Sequence, residues 1–259
     1  MGNSQTKPGS YDLSGECKAM MLSVKENNES AEPDIKMMKS ILNHYGITSC
    51  EFVSVITAKE MHDEVISFRN HIQSSLSDIS CVLVVISSHG DRDVIIGADN
   101  TSLAVKDIIQ PFGDEQCLKM KGKPKVFLIG ACRGGRSDHG VWSGSSANCN
   151  QSEVDKDTTE YKANRVPACI NDMLIAYPAM SDFVALMDNC GTDMIVYICE
   201  VLEKTDTEKE HLYDLFVKAN AKMVEGTYTD DEDNKYIKEV MVIESTLKKL
   251  LYLGKKNNT

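Results

Sequence analysis

Two side chains in this sequence have the types and setting for joint nucleophilic chemistry, the thiol of Cys132 and the imidazole of His89. Each follows a short apolar run. Val126 to Ile129, entered through Lys123-Pro124 and stopped by Gly134-Gly135, has the length and β-branched content of a buried strand. Cys81 to Ile86, ahead of Ser87-Ser88-His89-Gly90, is a second run of the same kind. Apolar strands joined by helical crossovers pair in parallel, so the histidine and the cysteine are expected on one rim of one sheet despite their separation in the chain. A thiol beside an imidazole becomes a thiolate beside an imidazolium, the activated nucleophile of a cysteine hydrolase. Gly90 allows a substrate carbonyl close to its backbone, so its N–H and that of Cys132 are the expected oxyanion donors. Alone, Cys132 would read as an inert core cysteine; the histidine at a neighbouring strand end decides against that.

The elements that must position this pair follow from periodicity. Lys18 to Val24 reads as the first strand, and the polar run Lys25 to Ser30 as a loop on the same rim. A helix is expected from about Pro33, with Ile35, Met38, Ile41, Leu42 and Tyr45 on one face and Gly46 as its stop. Glu51 to Ile56 is the second strand. Thr57 to Glu60 forms a capping box, and Met61, Val65, Phe68, Ile72 and Leu76 space the inner face of the helix it starts. The third strand is expected to end at His89. A small hairpin around Asp99-Asn100 and a short helix over Val105 to Phe112 follow, before the strand that ends at Cys132. Gly134 to Asn164 lacks periodicity and reads as a mobile linker. Beyond it come a strand at Met173 to Ala176, helices from Thr192 and from about Glu208, an acidic loop over Thr229 to Asp233, and a sixth strand at Val240 to Ile243.

Composition narrows the function classes. The 259 residues suffice for one α/β domain, and no apolar run approaches the ~20 residues of a membrane span. The first residues lack the apolar segment of a secretory signal, so a cytoplasmic protein is expected. Nine cysteines, an odd number without a Cys-x-x-Cys pair, point to free thiols rather than a disulfide framework or a zinc site. A net charge of −11, from 39 acidic and 28 basic side chains, argues against nucleic-acid binding. Met1-Gly2-Asn3-Ser4-Gln5-Thr6 fits the short pattern for N-myristoylation at Gly2, and one acyl chain would give only reversible membrane contact.

Around the two chemical residues the sequence resembles the caspase family of cysteine endopeptidases, whose signature is Cys flanked by Gln-Ala and Arg-Gly with a His about 50 residues upstream. Here it reads Gly130-Ala131-Cys132-Arg133-Gly134, with Ser88-His89-Gly90 before it. The resemblance continues through Gly122-Lys123-Pro124-Lys125, through Ile175-Ala176-Tyr177, and into a strand-like tail near Leu247 to Leu253. It implies a three-layer α/β fold with a central, mostly parallel six-stranded sheet flanked by helices. It further implies a short leader over residues 1–10 and a caspase-like domain over 11–259. That domain divides into a large-subunit part (11–133), an inter-subunit linker (134–164) and a small-subunit part (165–259). The linker is where such a zymogen would be cut, with Asp138, Asp155 and Asp157 as candidates and Ser152-Glu153-Val154-Asp155 the most caspase-like stretch. Peptide or protein substrates, no cofactor, no metal and a role in apoptosis or related signalling are implied. So is a homodimer, or a heterodimer with another caspase, formed through the last strand, with the acidic loop beside the substrate groove.

The sequence departs from the family where a substrate aspartate would be bound. The resemblance calls for two arginines and a glutamine there, a bidentate carboxylate clamp. The glutamine position is Gly130, no arginine precedes Arg69 to serve the loop after the first strand, and the second arginine position is Leu186, with Met187 beside it. Losing the clamp forfeits several kcal/mol of preference for a carboxylate. Two expectations therefore stand: an endopeptidase with altered or weakened P1 aspartate specificity, or a catalytically impaired homologue that regulates active caspases as a dimer partner. The retained dyad favours the first.

Overall fold

The computed structural model describes residues 7–55, 57–138, 170–226, 228–229 and 236–254. Five parallel strands and one antiparallel edge form its central sheet: β1 (Glu16–Ser23), β2 (Cys50–Ser54), β3 (Ile79–Ser87), β4 (Lys125–Gly130), β5 (Met173–Tyr177) and β6 (Val242–Ser245), in the order β6-β5-β4-β3-β1-β2. The three-layer α/β architecture follows from how these strands distribute their side chains. Met20 and Leu22, Phe127 and Ile129, Met173 and Ile175 enter one core, whereas Ala19 and Met21, Val126 and Leu128, Leu174 and Ala176 enter the other. A strand buried on both faces has no polar alternation, which is why these segments are continuous apolar runs.

Helices cover the two faces unequally. The first core is closed by α2 (Ala58–Ser74), α3 (Val105–Ile109) and the one-turn helix Gln110–Phe112. The second is closed by α1 (Ala31–His44), α4 (Asp193–Lys204) and α5 (Leu212–Glu225). α2 starts at the expected capping box, in which the Thr57 side chain accepts from Glu60 N and the Glu60 carboxylate from Thr57 N, both at 3.0 Å. Gly46, in the left-handed region at φ 67°, ends the chain reversal after α1.

Several boundaries differ from expectation, each for a local reason. Leu76 is fully exposed, because α2 ends at Ser74, whose hydroxyl donates to Asn70 O, and Ser75 is already extended. The last helix begins at Leu212 rather than Glu208, where Lys209 N closes a turn on Asp206 O. β3 ends at Ser87, and His89–Asp91 is a separate short strand antiparallel to Val94–Ile96, which pairs in turn with Ser102–Ala104. β6 starts at Val242 because the Met241 N–H is already bonded to Asn220 Oδ1 at 2.8 Å. The tail at Leu247 to Leu253 is not a strand; it makes a single bridge, Ser10 to Leu250.

Candidate active site

Residue pairing between β3 and β4 brings the two strand ends level. Ser87 is the partner of Gly130, and Ser88 N donates to Gly130 O at 3.0 Å. His89 and Cys132 thus leave the sheet on the same rim, two residues beyond paired positions. Gly90 reports how closely the segments meet: a Cβ there would lie 2.5 Å from Cys132 O, 2.9 Å from Ala131 Cβ and 3.0 Å from Val94 O. Only glycine fits.

The imidazole is oriented from the other side. His89 Nε2 lies 2.8 Å from the carbonyl O of Asn27, which stands at φ 53° in the loop after β1. A carbonyl only accepts, so Nε2 carries the proton and donates, leaving Nδ1 as the ring nitrogen able to exchange one. Cys132 is half-buried. Ala185 N donates to its sulfur at 3.4 Å, and Ala185 O lies 3.7 Å from the same atom. Burial pushes the Cys132 thiol up and the charges of Glu239 and Asp91 add to this, while the Ala185 N–H opposes it.

The segment after Cys132 is clamped to the Asp182–Val184 stretch. Arg133 N donates to Phe183 O at 3.0 Å, Asp182 N to Arg133 O at 2.7 Å, and Val184 N to Arg136 O at 2.9 Å. Gly134, at φ 151°, passes so near Asp182 that a Cβ would be 2.4 Å from its backbone. At the start of the expected linker, Arg136 N donates to Asp182 O at 3.0 Å and Asp138 O accepts from Lys238 N at 2.7 Å. Cleavage after Asp138 would require undoing that pairing, whereas Asp155, Asp157 and Gly2 lie outside the described residues. Arg92 is held by Asp182 at 3.1 Å.

The residues expected to replace the carboxylate clamp are brought partly together. A Cβ on Gly130 would lie 3.6 Å from both Cγ2 and Oγ1 of Thr192, so the bare backbone at 130 faces the start of α4. Met187 pairs through its backbone with Thr192. Leu186, half-buried, follows the Ala185 that contacts the thiol, and its N–H donates to Glu239 Oε1 at 3.0 Å.

Two carboxyls beside this site were not singled out from sequence. Glu239 is 2% exposed, and burial, reinforced by neighbouring Asp193, pushes its carboxyl from 4.5 up to about 9 against the pull of the Leu186 N–H. Asp193 in turn accepts the Tyr228 hydroxyl. Asp34 of α1 is fully buried: its carboxylate accepts from Ser87 Oγ at 2.7 Å, from Thr192 N at 2.8 Å and from Thr192 Oγ1 at 2.8 Å. It ties the end of β3 to the start of α4, and so fixes the rim that carries His89. Both had a signal. Asp34 falls on the helix face of Ala31, Ile35 and Met38, and Glu239 alternates with Ile237 and Met241, so each polar residue stands at an inward position.

A family model described as the caspase domain matches residues 18–252. Caspase-14 of Homo sapiens is 27% identical over 244 residues, which cover 94% of this chain and 95% of that protein. Caspase-8 of Mus musculus is 24% identical over 264 residues, covering 96% of this chain and 54% of that protein. The crystal structure of caspase-1 from Spodoptera frugiperda shares the fold, with a TM-score of 0.80 at 19% identity over 100% of this chain and 98% of that one.

Proposed function

Because this chain belongs to the caspase family of cysteine proteases, we propose that it is an endopeptidase in which Cys132 attacks the scissile carbonyl and His89 moves the proton. In this reading His89, held at Nε2 by Asn27, takes the thiol proton on Nδ1 and later gives it to the leaving amine. The N–H groups of Gly90 and Cys132 stabilise the tetrahedral oxyanion, and water then hydrolyses the thioester. The observation that carries the reading is the approach of the Gly90 backbone to Cys132, which requires the two strand ends to converge.

Substrate preference departs from a carboxylate at P1. Gly130 and Leu186 offer no cation there to pair with a substrate carboxylate. Neutral or basic P1 residues are expected to outperform aspartate. Self-processing at Asp155 or Asp157 is then poor, and activation depends on another protease or on dimerisation. A positional-scanning peptide library with the purified protein tests this directly. Cleavage after aspartate with a preference over all other residues would defeat the pocket assignment.

One observation favours a second reading, a catalytically impaired homologue acting as a dimer partner. The Cys132 sulfur is engaged by Ala185, and its thiol is pushed up rather than down. A library that yields no cleavage at any P1 residue, from a protein that still dimerises, would select it.

A further inference from the structure

Side-chain alternation along β1 and β3 sets two cysteines that the catalytic reading leaves unused against each other. Ala19 and Met21 of β1, and Leu83 and Val85 of β3, face the core closed by α1, α4 and α5. Cys17 and Cys81, each two residues earlier on its strand, face it too, and both line the same cavity on that side. They are also register partners. β1 and β3 pair in parallel, and a shift between Glu16 and Cys17 sets Ile79 opposite Glu16 but Cys81 opposite Cys17, with Ser80 as the extra residue. Without that bulge Cys17 would stand opposite Ser80. Neighbouring strands lie about 4.8 Å apart, inside the ~4.4–6.8 Å between Cα atoms that a disulfide requires. The two thiols are hydrogen-bonded to each other. We propose that Cys17 and Cys81 form a reversible disulfide, a redox-modification site whose oxidant is a hydroperoxide.

Cys17 is half-buried and Cys81 is buried, so the peroxide meets Cys17 first. The hydrogen bond with Cys17 and burial push the Cys81 thiol up, which keeps the proton on Cys81 and leaves Cys17 as the sulfur that gives up its own. In the first step the Cys17 thiolate attacks a peroxide oxygen. The S–O bond forms, the O–O bond breaks, and the departing oxygen takes up the Cys17 proton as water or an alcohol. In the second step the Cys81 sulfur attacks the sulfenic acid: the S–S bond forms, the S–O bond breaks, and hydroxide leaves with the Cys81 proton as water. Two thiols give up two electrons and one peroxide takes them. The bond closes the span that holds α1, β2 and α2, so it restricts the unfolded chain over a long loop. The same two strands lead at their other ends to Asn27 and His89, so the tie strengthens the scaffold of that rim and uses no atom of Cys132.

The test treats the reduced full chain with a slight excess of hydrogen peroxide, alkylates it in denaturant and maps its peptides without reductant. A peptide pair joined through Cys17 and Cys81 is expected, separated again by dithiothreitol. The oxidised chain should unfold at least about 5 °C above the reduced one. Cys17→Ser and Cys81→Ala should each lose both the linked pair and the shift in midpoint. If Cys81→Ala does not fold, Cys17→Ser, at the half-buried position, decides alone. Cys132→Ala should form the same linked pair, which keeps the result independent of the catalytic reading. Cys17 and Cys81 both alkylated after peroxide, or Cys17 joined to any other cysteine, overturns the proposal.

Discussion

The backbone N–H of Ala185 points at Cys132 Sγ from 3.4 Å, and the carbonyl of the same residue lies 3.7 Å from that sulfur. The thiol is thus covered by the stretch that leads into Leu186.

The first prediction concerns reactivity without substrate. A thiol pushed up by burial keeps its proton at neutral pH, so its thiolate fraction falls below that of an ordinary cysteine. Iodoacetamide with peptide mapping is expected to modify exposed Cys190 well before Cys132 at pH 7. The Cys132 rate should climb about tenfold per pH unit, because only the thiolate reacts. Equal rates at pH 7 would mean that the thiolate is already formed.

Glu239 predicts a pH slope in stability. Its carboxyl titrates at about 9 folded against 4.5 ordinarily, so between those values the folded chain holds more proton than the unfolded one. Stability is then full below the ordinary value and is lost as pH rises through that window. Glu239→Gln keeps an acceptor for the Leu186 N–H and removes the ionisation. It should be more stable than wild type by on the order of 2 kcal/mol at pH 8 and nearly equal at pH 4 in urea unfolding. A pH-independent difference would contradict this origin.

Asp34 contributes through the donors it accepts from, while burial pushes its carboxyl up against their pull. Removing its carboxylate in Asp34→Ala leaves Thr192 N, Thr192 Oγ1 and Ser87 Oγ without their acceptor in a fully buried place, a loss of about 3 kcal/mol. Asp34→Asn, which keeps one acceptor oxygen, should lose less. Denaturant midpoints measure both, and an Asp34→Ala protein as stable as wild type would remove Asp34 from its tying role.

Association is expected through β6, which stands at the edge of the sheet among the described residues. Val242 and Ile243 are half-buried, and Glu244 and Ser245 are exposed. The strand is thus apolar only in its first half, not on both faces throughout as the run Val240 to Ile243 suggested. Val242→Glu should shift sedimentation toward monomer while circular dichroism reports a folded chain. A wild type that stays monomeric at high concentration would rule out the interface.

What was legible in the sequence and what was not divide by physics. β1, β3, β4 and β5 were legible because their side chains alternate between two cores, leaving unbroken apolar runs. The placing of His89 and Cys132 on one rim followed from parallel pairing alone. The strand His89–Asp91 was missed, since three residues carry no periodicity and its pairing with Val94–Ile96 is set by the turn between them. Asp34 and Glu239 escaped because reading a face by its apolar members passes over a carboxylate standing among them. Leu76 shows the converse: an apolar residue at the right spacing lies outside the helix once Ser74 and Ser75 have ended it.

The central claim, that Cys132 is the nucleophile and His89 its proton-transfer partner, is met most directly by covalent labelling with a thiol-directed peptide carrying a neutral P1 residue, read by intact mass and peptide mapping. Wild type should take one label at Cys132, Cys132→Ala none, and His89→Ala the same label more slowly, by a factor of about 100 or more. A label on Cys132→Ala at another cysteine, or an unchanged rate in His89→Ala, would contradict it.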